Sequence, residues 1–118
     1  MVDLDPQANA TSGVGLSKSD DKKNIYRILL GETEAGGCLK ETDFENLSVI
    51  TSHPDLTGAE VEMVNFMGRE YRLRDALAPV RSRFSYILID CPPSLNILVI
   101  NALAAADKLI LQIGRAHV

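Results

Sequence analysis

The sequence predicts an α/β fold built on a mostly parallel sheet, and three observations predict it. Residues 86–89 (Y-I-L-I) form a short apolar run without alternation, which suits a strand buried on both faces. Residues 95–106 (L-N-I-L-V-I-N-A-L-A-A-A) read as a helix that is apolar nearly all round, and residues 108–111 begin another apolar strand. A strand–helix–strand order of this kind is a parallel crossover. Residues 1–5 (M-V-D-L-D) supply a second strand that ends, like the first, in a carboxylate.

The chain has 118 residues, enough for one domain with its own core. Hydrophobic residues make up 46% and charged residues 24%, which excludes a disordered class. A net charge of −4 supplies no overall drive toward nucleic acid or an anionic membrane, so any DNA contact needs a local basic patch. Cys38 and Cys91 stand far apart, in no metal-ligand spacing. They read as free thiols of a reducing cytoplasm, Cys91 with a packing role. No signal-peptide pattern is visible, and no apolar run reaches the roughly 18 residues of a membrane span.

Taken in order, the first strand is short and ends at Pro6. Asp3 and Asp5, two apart, share a face of it. Two carboxylates on one face repel unless a cation or a hydrogen-bond network lies between them, and Mg²⁺ or water-activating sites use that arrangement. Residues 7–15 (Q-A-N-A-T-S-G-V-G) suit a loop passing close to a ligand. The glycines of G-V-G alone are a weak phosphate signal, and the chain contains no G-x-x-x-x-G-K-[ST] and no complete G-x-G-x-x-G. Residues 17–23 are a charged loop. Ile25, Ile28 and Leu29 fall at helical spacing with Gly31 as the stop. Residues 32–46 form a polar connection and 47–51 (L-S-V-I-T) a strand. His53 reads as a surface turn residue, and Asp55 or Thr57 as the cap of a short helix over 60–64.

Residues 69–80 are an amphipathic helix, with Leu73, Ala76, Leu77 and Val80 on one stripe. Arg69, Arg72 and Arg74 lie off the stripe, with Arg81 and Arg83 after it. They could touch phosphate, but a solvated face beside Glu70 and Asp75 is the favoured reading. At residue 90 the strand must stop, because neither Pro92 nor Pro93 can donate to a ladder. Asp90 then stands where open α/β sheets bind ligands, its plain alternative being a turn role. Ser94 is the expected N-cap of the helix over 95–106, which is read as buried or in an interface. Residues 112–118 (Q-I-G-R-A-H-V) do not fit what precedes them. They resemble a translated sequencing adapter and are read as a non-native tail, which leaves 1–111 as the domain.

Two acidic strand ends fit two known families. A receiver domain also carries an acidic pair and a phosphoacceptor Asp, but its last strand ends in Lys where this chain has Gln112. The other fit is much closer. V-D-L-D-P-Q-A-N-A-T-S-G-V-G, H-P-D-L-T-G-A-E-V-E-M, E-Y-R-L-R-D-A-L, Y-I-L-I-D-C-P-P-S-L and N-A-L-A-A-A-D, in order from Val2 to about Leu111, resemble the ParA/Soj partitioning ATPases. The D-x-D-P-Q-x-N and Y-x-L-I-D-x-P-P-S-L blocks are the specific ones.

The resemblance implies part of a doubly wound, mostly parallel sheet of the P-loop NTPase type, and an ATPase using ATP and Mg²⁺. It implies a cytoplasmic, nucleoid-associated homodimer that binds DNA non-specifically in its ATP form. It also implies stimulation by a ParB-like centromere-binding partner, with no membrane. By the same resemblance Asp5 positions or activates the attacking water, and Asp3 belongs to the Mg²⁺ and water network. Asp90 binds Mg²⁺ through water, residues 5–9 and 91–95 form the switches, and Asn9, Pro92 and Pro93 lie on the nucleotide side. The family's K-G-G-x-G-K-T/S loop and first strand would fall before Met1, and its adenine and principal DNA contacts beyond Leu111. The 118 residues alone are therefore expected to be inactive toward ATP, and poorly soluble or loosely packed. The competing readings are a truncated, non-catalytic interaction module and a MinD-like membrane-recruited ATPase.

Overall fold

The computed structural model describes residues 1–17 and 20–110. Its sheet is centred on β1 (Val2–Asp3), which pairs in parallel with β4 (Ile89–Asp90) through Val2↔Ile89 and Asp3↔Asp90. On its other side β1 bridges in parallel to Ile50, just past β3 (Ser48–Val49). Asp3 N donates to Ile50 O at 3.2 Å and Leu4 N to Asp90 O at 2.8 Å, so the first residues of the chain hold the middle of this sheet. β3 also pairs antiparallel with β2 (Lys40–Glu41), a short ribbon inside the stretch expected to be a plain polar connection.

The helices fall close to their expected places. α2 (Ile25–Leu29) is capped by Asn24, whose side chain accepts from Arg27 N, and it ends at Gly31, whose φ of +80° few other residues adopt at low cost. The Leu73 stripe is confirmed: α4 (Arg72–Leu77), with 3₁₀ turns on both sides, buries Leu73, Leu77 and Val80. α5 (Ile97–Ala105) packs on α4 through Ile97, Leu98 and Ala102. The core joins these to Val2, Leu4, Ile50, Leu56, Met63 and the α2 residues.

Several expectations are corrected. Residues 9–13 are not loop but a helix, α1 (Asn9–Gly13), because a carboxylate from β1 caps it from outside its own sequence. His53 is buried rather than on the surface. Its Nδ1 accepts from Asp55 N and caps the 3₁₀ turn Pro54–Gly58, while its Nε2 lies 2.6 Å from Asp21 Oδ1. Neither Asp55 nor Thr57 caps α3 (Ala59–Glu62), which continues directly from that turn. The cap of α5 is Asn96, accepting from Leu98 N and Val99 N, and not Ser94, which stays exposed. α5 is not buried all round, since Ile100 and Leu103 face solvent. Nor is the stretch before Asp90 buried on both faces: Tyr86 is 86% and Leu88 59% exposed, because β4 pairs on one side only among the described residues. Residues 108–110 form no strand; Leu111 and the tail 112–118 lie outside the described residues.

The arginines have structural partners. Arg72 donates to Leu29 O and lies over the Phe66 ring, Arg69 donates to Val64 O, and Arg81 pairs with Asp107 at 2.6 Å. Arg74 pairs with Asp75 and covers Tyr71. These contacts support the solvated-face reading over a phosphate patch. Asp20 anchors the charged loop, its carboxyl pulled down to about 2 chiefly by its bond to Lys40.

Candidate functional site

The register of β1 and β4 puts the acidic strand ends side by side at the carboxyl edge of the sheet. Chain direction does this: parallel strands present their carboxyl ends to the same side, where the loops that follow them meet. After Asp3 the chain turns through Pro6 and Gln7, with Gln7 N donating to Asp5 Oδ1 at 3.0 Å and Ala8 N to Asp5 O at 2.9 Å. Ala8 then takes a left-handed conformation (φ +58°) to enter α1. That conformation costs an L-residue roughly 1–2 kcal/mol and is paid back by the contacts around it.

The three carboxylates differ sharply in surroundings. Asp3 is fully buried. Its Oδ1 accepts from Asp5 N at 3.1 Å, and its Oδ2 from Thr11 N at 2.8 Å and Thr11 Oγ1 at 2.7 Å. Asp5 is partly exposed. Asp90 has no hydrogen-bonded partner for its carboxylate among the described residues, and its carboxyl is pushed up by burial first, then by the charges of Asp3 and Asp5. Asp90 therefore lies within the field of both other acids, a repulsion that a bound cation would relieve.

Pro6 and Pro92 line a cavity of about 240 Å³ beside this edge, together with Glu60, Ser94, Asn96 and Ile97. Pro92 is buried, whereas Pro93 and Asn9 are exposed and do not line the cavity. Glu60, which sequence reasoning missed, accepts from Ile97 N at the start of α5 and so ties α3 to the loop after Asp90. Thr11 and Ser52 were missed too; nothing local in the sequence marks a hydroxyl as the partner of a distant carboxylate. A larger hollow of about 850 Å³ opens at the opposite ends of the strands, near Met1, Ser48 and Leu88, away from these acids.

Among the described residues no three His, Cys, Asp or Glu side chains converge tightly enough to chelate a metal unaided. That still fits Mg²⁺, which keeps several waters and takes one or two carboxylates plus phosphate oxygens. Asp90 could take such a role directly, and Asp3, which already accepts three hydrogen bonds from the chain, could join it through water. One consequence is measurable without any ligand. A raised folded-state pKa means that the ionised form is disfavoured by folding, so Asp90 penalises stability as pH rises through that pKa. Asp90→Asn should therefore melt higher than the parent at neutral pH, with the gap closing in acid, as thermal scans across pH would show.

The parallel strands of this α/β sheet carry acidic carboxyl ends, and its solved structural neighbours are P-loop NTPase-like domains. The chain belongs to the AAA domain family, whose family model matches residues 1–117, and within it to the ParA/Soj partitioning type. It is 49% identical over 113 residues to the chromosome partitioning protein ParA of Myxococcus xanthus, covering 96% of this chain and 40% of that protein. It is 46% identical to the sporulation initiation inhibitor protein Soj of Bacillus subtilis, covering 96% and 45%. Among solved structures it is similar to a cobyrinic acid a,c-diamide synthase from Mycobacterium smegmatis with bound ADP and magnesium, at TM-score 0.84 and 40% identity over 89% of this chain and 42% of that one. A plasmid partition protein from Borrelia burgdorferi matches at TM-score 0.80 and 28% identity, over 90% and 48%. The chain thus spans less than half the length of these relatives.

Proposed function

We propose that this chain is the metal- and water-handling segment of a ParA/Soj-type ATPase that drives chromosome or plasmid segregation. The observation that carries the reading is the register Asp3↔Asp90 with Asp5 beside it, which gathers the acids of both specific motif blocks at one sheet edge. In this reading Asp90 holds Mg²⁺ largely through water, and Asp5 orients the attacking water. Asp3 serves the same network from inside the protein. Asn9, Pro92 and Pro93 border the nucleotide. When bound, Mg²⁺ neutralises phosphate charge. The chain's own part is to hold Asp5 and Asp90 at the carboxyl ends of adjacent parallel strands. ATP and Mg²⁺ are the ligands, and a homodimer, non-specific DNA and a ParB-like centromere-binding protein the partners, in the cytoplasm at the nucleoid.

The 118 residues contain no phosphate-cradling G-x-x-x-x-G-K-[ST], so on their own they should not turn over ATP. The test measures Mg²⁺-dependent phosphate release by this chain and by the polypeptide read from the uninterrupted source gene. The expected result is no turnover in the first, and turnover in the second that Asp5→Ala abolishes. Turnover that survives Asp5→Ala would sink the assignment of Asp5; turnover by the 118 residues that requires Asp5 would sink the claim of inactivity. The interaction-module reading draws on one feature, the exposed Ile100 and Leu103 of α5, and absence of turnover from the source polypeptide would favour it.

A further inference from the structure

A closed ring of hydrogen bonds surrounds the backbone of Asp5. Asp5 N donates to Asp3 Oδ1 at 3.1 Å. Asp3 Oδ2 accepts from Thr11 Oγ1 at 2.7 Å, and Thr11 Oγ1 in turn accepts from Ser52 N at 3.1 Å. Ser52 Oγ donates to Asp5 O at 2.5 Å and closes the ring. Asp3 and Thr11 are 0% and Ser52 1% exposed. Three separate elements meet here: the end of β1, α1, and the segment after β3.

The ring grips both polar groups of the Asp5 backbone, its N–H and its C=O, and leaves the Asp5 side chain outside. That side chain takes one bond, from Gln7 N to Oδ1. Thr11 stands at the junction. Only a hydroxyl can donate to a carboxylate and accept from an amide through one atom. A valine of nearly the same shape can do neither, so the swap is not isosteric in its chemistry.

We infer that Thr11 is a positioning residue for the water-handling carboxylate: with Ser52 it fixes the backbone that carries Asp5, and it holds Asp3 as an internal anchor rather than a metal ligand. This rests on the function proposed above for Asp5 and Asp90. Its physical basis is that an error of an ångström at a reacting group can cost about a hundredfold in rate. A ring that clamps the peptide groups on both sides of one residue is a means of preventing that error.

Two readouts test it. In the polypeptide from the source gene, Mn²⁺ is titrated as a paramagnetic probe and amide signals are followed by NMR. Selective broadening is expected at Asp5, Gln7, Asp90 and Cys91 in the parent and in Thr11→Ser. In Thr11→Val and Ser52→Ala it should persist at Asp90 and Cys91 and fade at Asp5 and Gln7. In the polypeptide from the uninterrupted source gene, Thr11→Val should lower kcat about tenfold or more with KM for ATP little changed, and Thr11→Ser should restore it. Equal broadening in all four proteins, or full kcat in Thr11→Val, overturns the inference. If Thr11→Val does not fold, Ser52→Ala decides by the same criteria, because it removes only the contact to Asp5 O. No selective broadening at either acid in the parent overturns the proposed site itself and this inference with it, an outcome separate from a failure confined to the variants.

Discussion

Asn101→Ala should lower the unfolding free energy by about 3 kcal/mol. Asn101 lies on the face of α5 that meets α4 and is fully buried. Its Oδ1 accepts from Leu73 N at 3.0 Å, and its Nδ2 donates to Arg69 O and to Ile97 O, both at 2.9 Å. Leu73 N belongs to the first turn of α4, where the helix itself supplies no acceptor. A side chain of α5 thus caps the start of α4, the helix before it. Alanine would strand that buried N–H at a cost of roughly 1–3 kcal/mol, and the lost packing would add to it. Leucine would fill the space but strand the same donor, so it should rescue only part of the loss. Urea unfolding would show a lower midpoint with an unchanged slope, and Leu73 N–H would exchange faster. A loss under about 1 kcal/mol in both variants would show that water replaces the amide and that the contact is dispensable.

Asp3→Asn should cost about 2 kcal/mol, although it removes a buried charge and a repulsion. Asp3 accepts three hydrogen bonds, and bonds to a charged acceptor contribute roughly 1.5–3 kcal/mol each. An amide in its place turns an NH₂ group toward N–H or O–H donors at one of the two positions. Relief of the repulsion with Asp90 offsets only part of that loss. The two register partners should therefore respond in opposite directions, Asp3→Asn destabilising and Asp90→Asn stabilising at neutral pH. Removing the Asp3 charge should also let the Asp90 carboxyl fall toward its ordinary range, which carboxyl NMR titration would follow. A stabilising Asp3→Asn would mean that burial of the charge outweighs its bonds, and would remove the anchor role.

Much of this site was legible in the sequence, and for local reasons. The prolines after Asp5 and Asp90 mark where strands must stop, and a strand stop fixes where its last carboxylate points. The stripe of α4 and the glycine after α2 are equally local signals. What was not legible depends on partners far away in sequence. α1 looked like loop because residues 7–15 carry no cap of their own; the cap is Asp3, delivered by β1. His53 looked superficial because its two carboxylate neighbours come from a loop thirty residues earlier and from its own turn. Ser94 has the better local claim to cap α5, yet Asn96 does so, with Glu60 taking Ile97 N from α3. The solvated face of the arginines was legible, but their carbonyl and aromatic partners were not, because these leave no periodic trace.

The place of β1 in the sheet bears on how the chain acquires its structure in time. Val2 leaves the ribosome well before Ile50 and Ile89, the two residues it pairs with. On the ribosome, β1 must wait unpaired while α2, α3 and α4 take shape from contacts close in sequence. Such long-range pairing is slow, and it leaves an apolar strand uncovered in the interim. The step that closes the sheet is the arrival of residues 88–90. That step also brings Asp90 beside Asp3, so the acidic edge is created by a pairing of residues far apart in the chain.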